Sequence, residues 1–167
     1  MSKHTEHSSY REKLVEHLFV GELLKESWRL DRCDLEVAKP EVDNAGYDLI
    51  LEAHGVLRHV QLKASFIGSS TAKQNLHVRL GEKPSGCVVW IYFDEQTLAL
   101  GPFLYFGGEP GKRLPCMEGA KVAKHTRANQ DGKKGERPNI REIRRGEFSS
   151  FSTLAGIYGA LFGNAPE

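Results

Sequence analysis

Apolar residues recur at Leu14, Val15, Leu18, Phe19 and Leu23, the three-and-four spacing that lays one stripe along a helix. The pattern predicts a helix over residues 11–29, behind a polar, disordered tail over residues 1–10. The period then changes. A short strand is expected over residues 35–38, and "KPEVDNAG" reads as a turn-rich loop. "YDLILEAHGVLRHVQLKAS", residues 47–65, alternates apolar and polar positions around His54-Gly55. This predicts a hairpin with strands over 47–52 and 56–63. "NLHVRL" alternates with period two and predicts another strand. "GCVVWIYF" is a continuous apolar run, as expected of a strand buried on both faces. "TLALGPFLYFG" reads as a further strand broken at Pro102. Residues 107–146 are rich in Gly, Pro and Lys and weakly periodic, which predicts a long irregular basic segment. A last helix is expected over residues 150–162, capped by Ser149 or Ser150. Its apolar surface would pack on the sheet or against a second subunit, which leaves a homodimer open. The order of elements predicts an α/β fold, one domain over residues 11–167 around a central mixed β-sheet flanked by helices.

Composition narrows the class. Hydrophobic residues make up 40% of the chain and charged residues 27%, as in a globular protein with a sizeable core. The polar start argues against a signal peptide. The longest apolar runs are too short to span a bilayer. Cys33, Cys87 and Cys116 are scattered and form no CxxC pair, which argues against a disulfide framework or a zinc cluster. A reducing, cytoplasmic setting is the expectation. Charge is unevenly placed: residues 1–52 carry twelve acidic and seven basic side chains, and residues 121–146 carry nine basic and three acidic. The basic stretch reads either as a solvated loop or as a polyanion contact, with Lys124, Arg127, Lys133, Lys134, Arg137 and Arg141 as candidate nucleic-acid-binding residues.

The candidate chemistry lies on the hairpin. If His54-Gly55 is a two-residue turn, cross-strand partners sum to 109, so Asp48 falls opposite Gln61 and Lys63 shares their face. On the first helix, Leu14, Val15, Leu18 and Phe19 span an arc of about 140°, and Glu22 falls near its middle with Glu26 beside it. A core-facing carboxylate calls for compensation, by a metal ion or by a lysine such as Lys63. A helix whose last turns leave the core would explain Glu22 equally well. Magnesium takes oxygen ligands. Glu22 and Asp48 would supply two carboxylates, Gln61 a neutral third ligand, and Lys63 a group to hold or deprotonate water. That set suits metal-assisted hydrolysis of a phosphodiester.

A Glu on an N-terminal helix, Gly46-Tyr47-Asp48 opening a strand, and Gln61-Leu62-Lys63 on the next strand together resemble the PD-(D/E)XK nuclease superfamily. The likeness is to its restriction-endonuclease-like and Holliday-junction-resolvase-like branch, in a QxK variant of the last motif. It covers residues 14–65 and continues loosely through residues 87–93. The resemblance implies a restriction-endonuclease-like core and a magnesium-dependent endodeoxyribonuclease, with manganese as a substitute metal. It implies Glu22, Asp48 and Gln61 as metal ligands, joined by the Leu62 carbonyl, and Lys63 as the residue that assists the water. Two positions depart from the pattern. Gln61 stands where Asp or Glu is commoner, and Tyr47 replaces the Pro before Asp48. Both leave open an inactive nuclease-fold domain that binds nucleic acid or a protein partner. DNA and RNA are not distinguished. Among the other candidates, His59 shares the Gln61 face, His77 and His125 read as surface residues, and Trp28 and Trp90 read as core.

Overall fold

The computed structural model describes residues 6–164. Helix α1 (Ser8–Arg29) leads into β1 (Glu36–Ala38), β2 (Leu49–Ala53) and β3 (Val56–Phe66). Strand β4 (Lys73–His77) and a 3-10 turn (Val78–Glu82) precede β5 (Gly86–Phe93) and β6 (Leu100–Gly107). Then come β7 (Lys121–Lys124), β8 (Glu136–Arg144), a 3-10 turn (Arg145–Glu147), β9 (Ser149–Phe151) and α2 (Leu154–Phe162). Six strands form one sheet in the order β1-β2-β3-β5-β6-β9, and β4-β8-β7 form a second. In the larger sheet β3 and β5 run parallel while its other pairs are antiparallel, so the sheet is mixed.

The hairpin turn sets the register. His54 and Gly55 have φ of 55° and 74°, the two positive values of a type I′ turn, whose twist matches that of its strands. His54 takes this conformation with help: Asp34 Oδ2 accepts its backbone N–H at 3.0 Å and lies 3.0 Å from its Nδ1. Leu49 then faces Val60, Leu51 faces Arg58 and Ala53 faces Val56. Alternation along β3 sends Val60, Leu62 and Ala64 to one face of the sheet and Gln61, Lys63 and Ser65 to the other.

The two faces are covered differently. Val15, Phe19 and Leu23 of α1 and Ile157, Tyr158, Leu161 and Phe162 of α2 share one apolar cluster with Leu49, Leu51, Val60, Val89 and Ile91. On the opposite face, Leu76 and Ile143 of the second sheet, with Leu80, pack against Val88, Trp90, Tyr92 and Leu104. All eight residues of β5 are buried, as its unbroken apolar run requires. Both helices therefore cover one face, and a small sheet takes the place that a flanking helix was expected to fill on the other. Ser65 shares the second face, where its Oγ accepts the Trp90 indole N–H at 2.9 Å.

Arg58 is fully buried on the helix side. Its Nε donates to Leu161 O at 2.8 Å and a terminal nitrogen to Ala160 O at 3.2 Å, both at the end of α2. It also donates to Gly108 O at 3.1 Å and Lys112 O at 3.2 Å. Helix-terminal carbonyls carry partial negative charge and lack partners of their own, so a guanidinium suits them. No carboxylate takes part in these bonds.

Several expectations change. Residues 8–10 of the expected tail are helical, and residues 1–5 lie outside the described residues. The segment 107–146, expected to be irregular, contains β7 and β8, whose alternation is hidden by their polar residues. The last helix begins at Leu154, after β9, and Thr153 caps it by accepting Gly156 N–H at 3.1 Å. Pro102 does not break β6, since the strand runs through it. Trp28 is 76% exposed rather than core, while Trp90 is buried as expected. Among the described residues no helix is long and apolar enough to cross a membrane.

Replacing Arg58 by Leu removes a buried cation and strands four carbonyls. The expected cost is about 3–5 kcal/mol, read as a lower denaturant midpoint at unchanged slope. A midpoint within error of the parent protein would show that the carbonyls find other donors.

Candidate active site

Asp48 sits one residue before β2 and is tied to β3 twice. Its backbone N–H donates to Val60 O at 2.9 Å, and its Oδ2 accepts the Leu62 N–H at 2.7 Å. The carboxylate thus takes the place of a ladder carbonyl at the open end of the hairpin, between the alternate residues Gln61 and Lys63. Gln61 Oε1 is buried and has no hydrogen-bond partner. Lys63 lines two adjoining clefts. One, of about 100 Å³, is shared with Asp48, Glu12 and Glu16. The other, of about 460 Å³, is shared with Gln61, Asp43, Asn75, His77 and Arg137. Lys63 therefore borders Asp48 in the smaller cleft and Gln61 in the larger, while the hairpin ladder ends one residue short of Asp48, at Leu49 with Val60.

Ionisation in this patch is displaced against charge. Burial raises the Asp48 carboxyl above its ordinary range, more than the Leu62 N–H bond lowers it. Burial lowers the Lys63 ammonium, with Arg137 adding to the effect and Asp48, Glu12 and Asp43 opposing it. His59 lies on the same face, with its ring 4.9 Å from that of Tyr47. Burial lowers its pKa, as does Lys83, and its Nδ1 is buried without a partner.

Glu22 does not join the cluster. It pairs with Lys25 at 2.8 Å and borders a separate cavity with Leu18, Leu98 and Leu154. The reason is the phase of α1. Leu14 and Leu18 are only half-buried, whereas Phe19 and Leu23 are fully buried. The buried stripe is therefore centred near Phe19 and Leu23, turned by roughly 80–90° from the predicted arc. On that line, nearer the start of the helix, fall Glu12 and Glu16, and these are the helix carboxylates that reach the Asp48 cleft. Glu16 is nearly buried and is bonded by Lys13 at 3.1 Å and by Lys39. Burial raises its carboxyl, but the two lysines prevail and leave it lowered. Glu12 is exposed. Their i, i+4 spacing is visible in the sequence; the phase that aims them is not. Glu26 is also buried and is bonded by Arg29.

The six basic candidates divide. Lys124 ends β7, and Arg127, Lys133 and Lys134 lie exposed in the loop between β7 and β8. Arg137 reaches the larger cleft beside Gln61 and Lys63. Arg141 is turned back on its own strand, donating to Pro138 O at 2.6 Å and Ile140 O at 3.3 Å. His77, expected on the surface, is half-buried in the larger cleft, where its Nδ1 accepts Arg79 N–H at 3.1 Å. Among the described residues no three His, Cys, Asp or Glu side chains gather as a metal site. Oxygen donors at this patch come instead from Asp48, Gln61 and the nearby helix carboxylates.

A lysine held below its ordinary pKa binds fewer protons in the folded than in the unfolded chain, so stability rises with pH through that window. Lys63→Met, which removes the buried charge, is expected to raise the melting temperature at pH 7 by about 2–4 °C. The gain should shrink as pH climbs towards 10.4. A fall in melting temperature at pH 7 would refute the burial cost.

No protein-family model matches the chain, and no curated protein matches its sequence. A solved structure, that of a bacterial homing endonuclease, is similar to this chain at 21% identity with a TM-score of 0.31. The match covers 59% of this chain and 64% of that protein, under two thirds of its length.

Proposed function

We propose that this chain is a divalent-metal-dependent nuclease that hydrolyses phosphodiester bonds in DNA. The observation that carries the reading is the pair of adjoining clefts at the open end of one hairpin, where Lys63 borders Asp48 in one and Gln61 in the other. All three are half-buried, and each is in a state that folding alone does not favour.

The donor set fits an oxygen-seeking cation. Gln61 Oε1 is a buried acceptor without a donor, and Asp48 keeps Oδ1 as a second acceptor beyond the one that Leu62 uses. Asp48 and Gln61 would hold magnesium, with Glu12 or Glu16 as the helix carboxylate in place of Glu22. Bound magnesium supplies a Lewis acid for charge developing on the phosphate, and manganese substitutes for it. The chain's own residues do the rest. Lys63 Nζ lies closer to its neutral form than a surface lysine does, so it takes a proton from an attacking water or donates to a phosphate oxygen. Arg137, in the same cleft, offsets the charge of the phosphate diester. The Leu62 N–H keeps the Asp48 carboxylate in one orientation.

Purified protein incubated with DNA and magnesium or manganese should cleave it. Asp48→Ala and Lys63→Ala should each lower the rate at least about 100-fold, and Glu22→Gln should leave it within about two-fold. Full cleavage by both alanine variants would sink the assignment.

One set of observations favours a second reading, a nuclease-like domain that binds nucleic acid without cutting it. Gln61 is uncharged, and Glu16 is already engaged by two lysines, so the patch offers a cation little net negative charge. Calorimetric titration separates the two readings. Heat of binding at millimolar magnesium or manganese that vanishes in Asp48→Ala supports the nuclease, and its absence from the parent protein supports the binding domain.

A further inference from the structure

A further concave surface lies outside this site. The loop after β3 and the turn after β8 enclose an open groove of about 380 Å³ lined by Ser69, Ser70, Thr71, Lys73, Arg144 and Arg145. The two walls are joined by backbone, since Arg145 N–H donates to Ala72 O at 2.9 Å. The Arg145 guanidinium lies 5.0 Å from the centre of the Tyr92 ring, a stacking that holds the cation in place at little further entropic cost. Lys73 is neutralised by Glu142 at 2.6 Å; the Glu147 carboxylate accepts the Arg144 backbone N–H at 2.8 Å, while neither the Arg144 nor the Arg145 guanidinium pairs with a carboxylate among the described residues. Opposite them, the Ser69 and Thr71 hydroxyls lie 2.8 Å apart, with Ser70 exposed between them. Two unpaired guanidinium groups facing three hydroxyls form a donor-rich, net-positive groove, and tetrahedral oxyanions fit that chemistry.

We infer that this groove is a second phosphate-binding subsite, which holds the backbone of the same nucleic acid that reaches Lys63. The anion chemistry stands on the groove itself; naming nucleic acid as its source rests on the reading proposed above. The position agrees with that source. Ser69 follows Lys63 by six residues, the end of β3 and then a turn closed by the Ser69 N–H on Phe66 O, so the two lie closer than the roughly 20 Å of six extended residues, which is within about six nucleotide steps along a duplex. Arg145 packs on Tyr92, which belongs to the apolar cluster on the sheet face that also carries Gln61 and Lys63. One strand could therefore cross both places without leaving that side of the molecule.

The test is affinity of the full chain for a labelled 30-base-pair duplex across a salt series, in a chelator so that nothing is cut, with circular dichroism to confirm folding. Arg144→Gln, an exposed position outside both apolar clusters, should weaken binding about five- to ten-fold and flatten the salt dependence by about one unit of slope. Arg145→Gln should do the same, and Lys25→Gln, whose cation is already paired with Glu22 on α1, should keep the parent slope. An unchanged slope in Arg144→Gln overturns the inference even if the protein cuts DNA. A flattened slope supports it even if the protein never cuts, in which case only the nuclease reading fails. Inorganic phosphate is the other arm: if it binds with Arg144 dependence while the duplex does not bind at all, the source assigned here is wrong.

Discussion

The fold hangs on the register of one hairpin. A two-residue turn at His54-Gly55 fixes which residues of β2 and β3 face each other, and a slip of one position would exchange every side chain between the faces of the sheet. Val60, Leu62 and Ala64 would leave the helices, and Gln61 and Lys63 would enter an apolar core. Asp34 guards this register from a distance, by bonding the backbone and ring of the residue that must hold positive φ. The His54 ring also lies 5.8 Å from that of Tyr158 and 6.4 Å from that of Phe162, so the turn is packed against α2 as well as closed locally.

The same hairpin then works at three levels along its length. At the turn, His54 meets α2. One turn of alternation further, Arg58 reaches the carbonyls at the end of that helix and of the loop after β6. At the open end, Asp48 closes the ladder with its side chain instead of its backbone. Anchoring at the closed end and the middle leaves the open end as the place where polar groups line the two clefts. Strand β5, buried on both faces, gives β3 a parallel neighbour that cannot shift, so the spacing between Gln61 and Lys63 is rigid.

Much of this was legible from residues alone, and the failures have physical causes. The hairpin, its turn length and the buried strand followed from period and turn chemistry, because these are local rules. The helix carboxylate did not follow. An arc drawn through Leu14 and Leu18 is reasonable by hydrophobicity, but the sheet curves against Phe19 and Leu23, and helix phase is a tertiary quantity. Trp28 was expected in the core as a large aromatic, but it lies off the buried stripe of α1 and is exposed. The strands β7 and β8 were hidden because their outward residues are charged and their inward ones few. Arg58 gave no signal at all: it sits where the alternation predicts an apolar residue, and only the end of a helix about a hundred positions away explains it.

Where the fold buries charge for structure, it satisfies it. Glu16 has two lysines, Glu26 has Arg29, and Arg58 has four carbonyls. The patch at the hairpin's open end follows the opposite rule. Among the described carboxyls whose ionisation is displaced, Glu16, Asp34, Asp94 and Glu142 are lowered, and Asp48 alone is raised. Its neighbour Lys63 is held below its ordinary range, and Gln61 between them has an unanswered acceptor. Other polar atoms are also buried without partners, Ser85 and Tyr158 among them, so an orphan by itself marks nothing. Asp48 gives the Leu62 N–H its acceptor, so its charge is partly structural, whereas the orphaned Gln61 acceptor and the depressed Lys63 ammonium are what a bound cation and a phosphate would satisfy under the function proposed above.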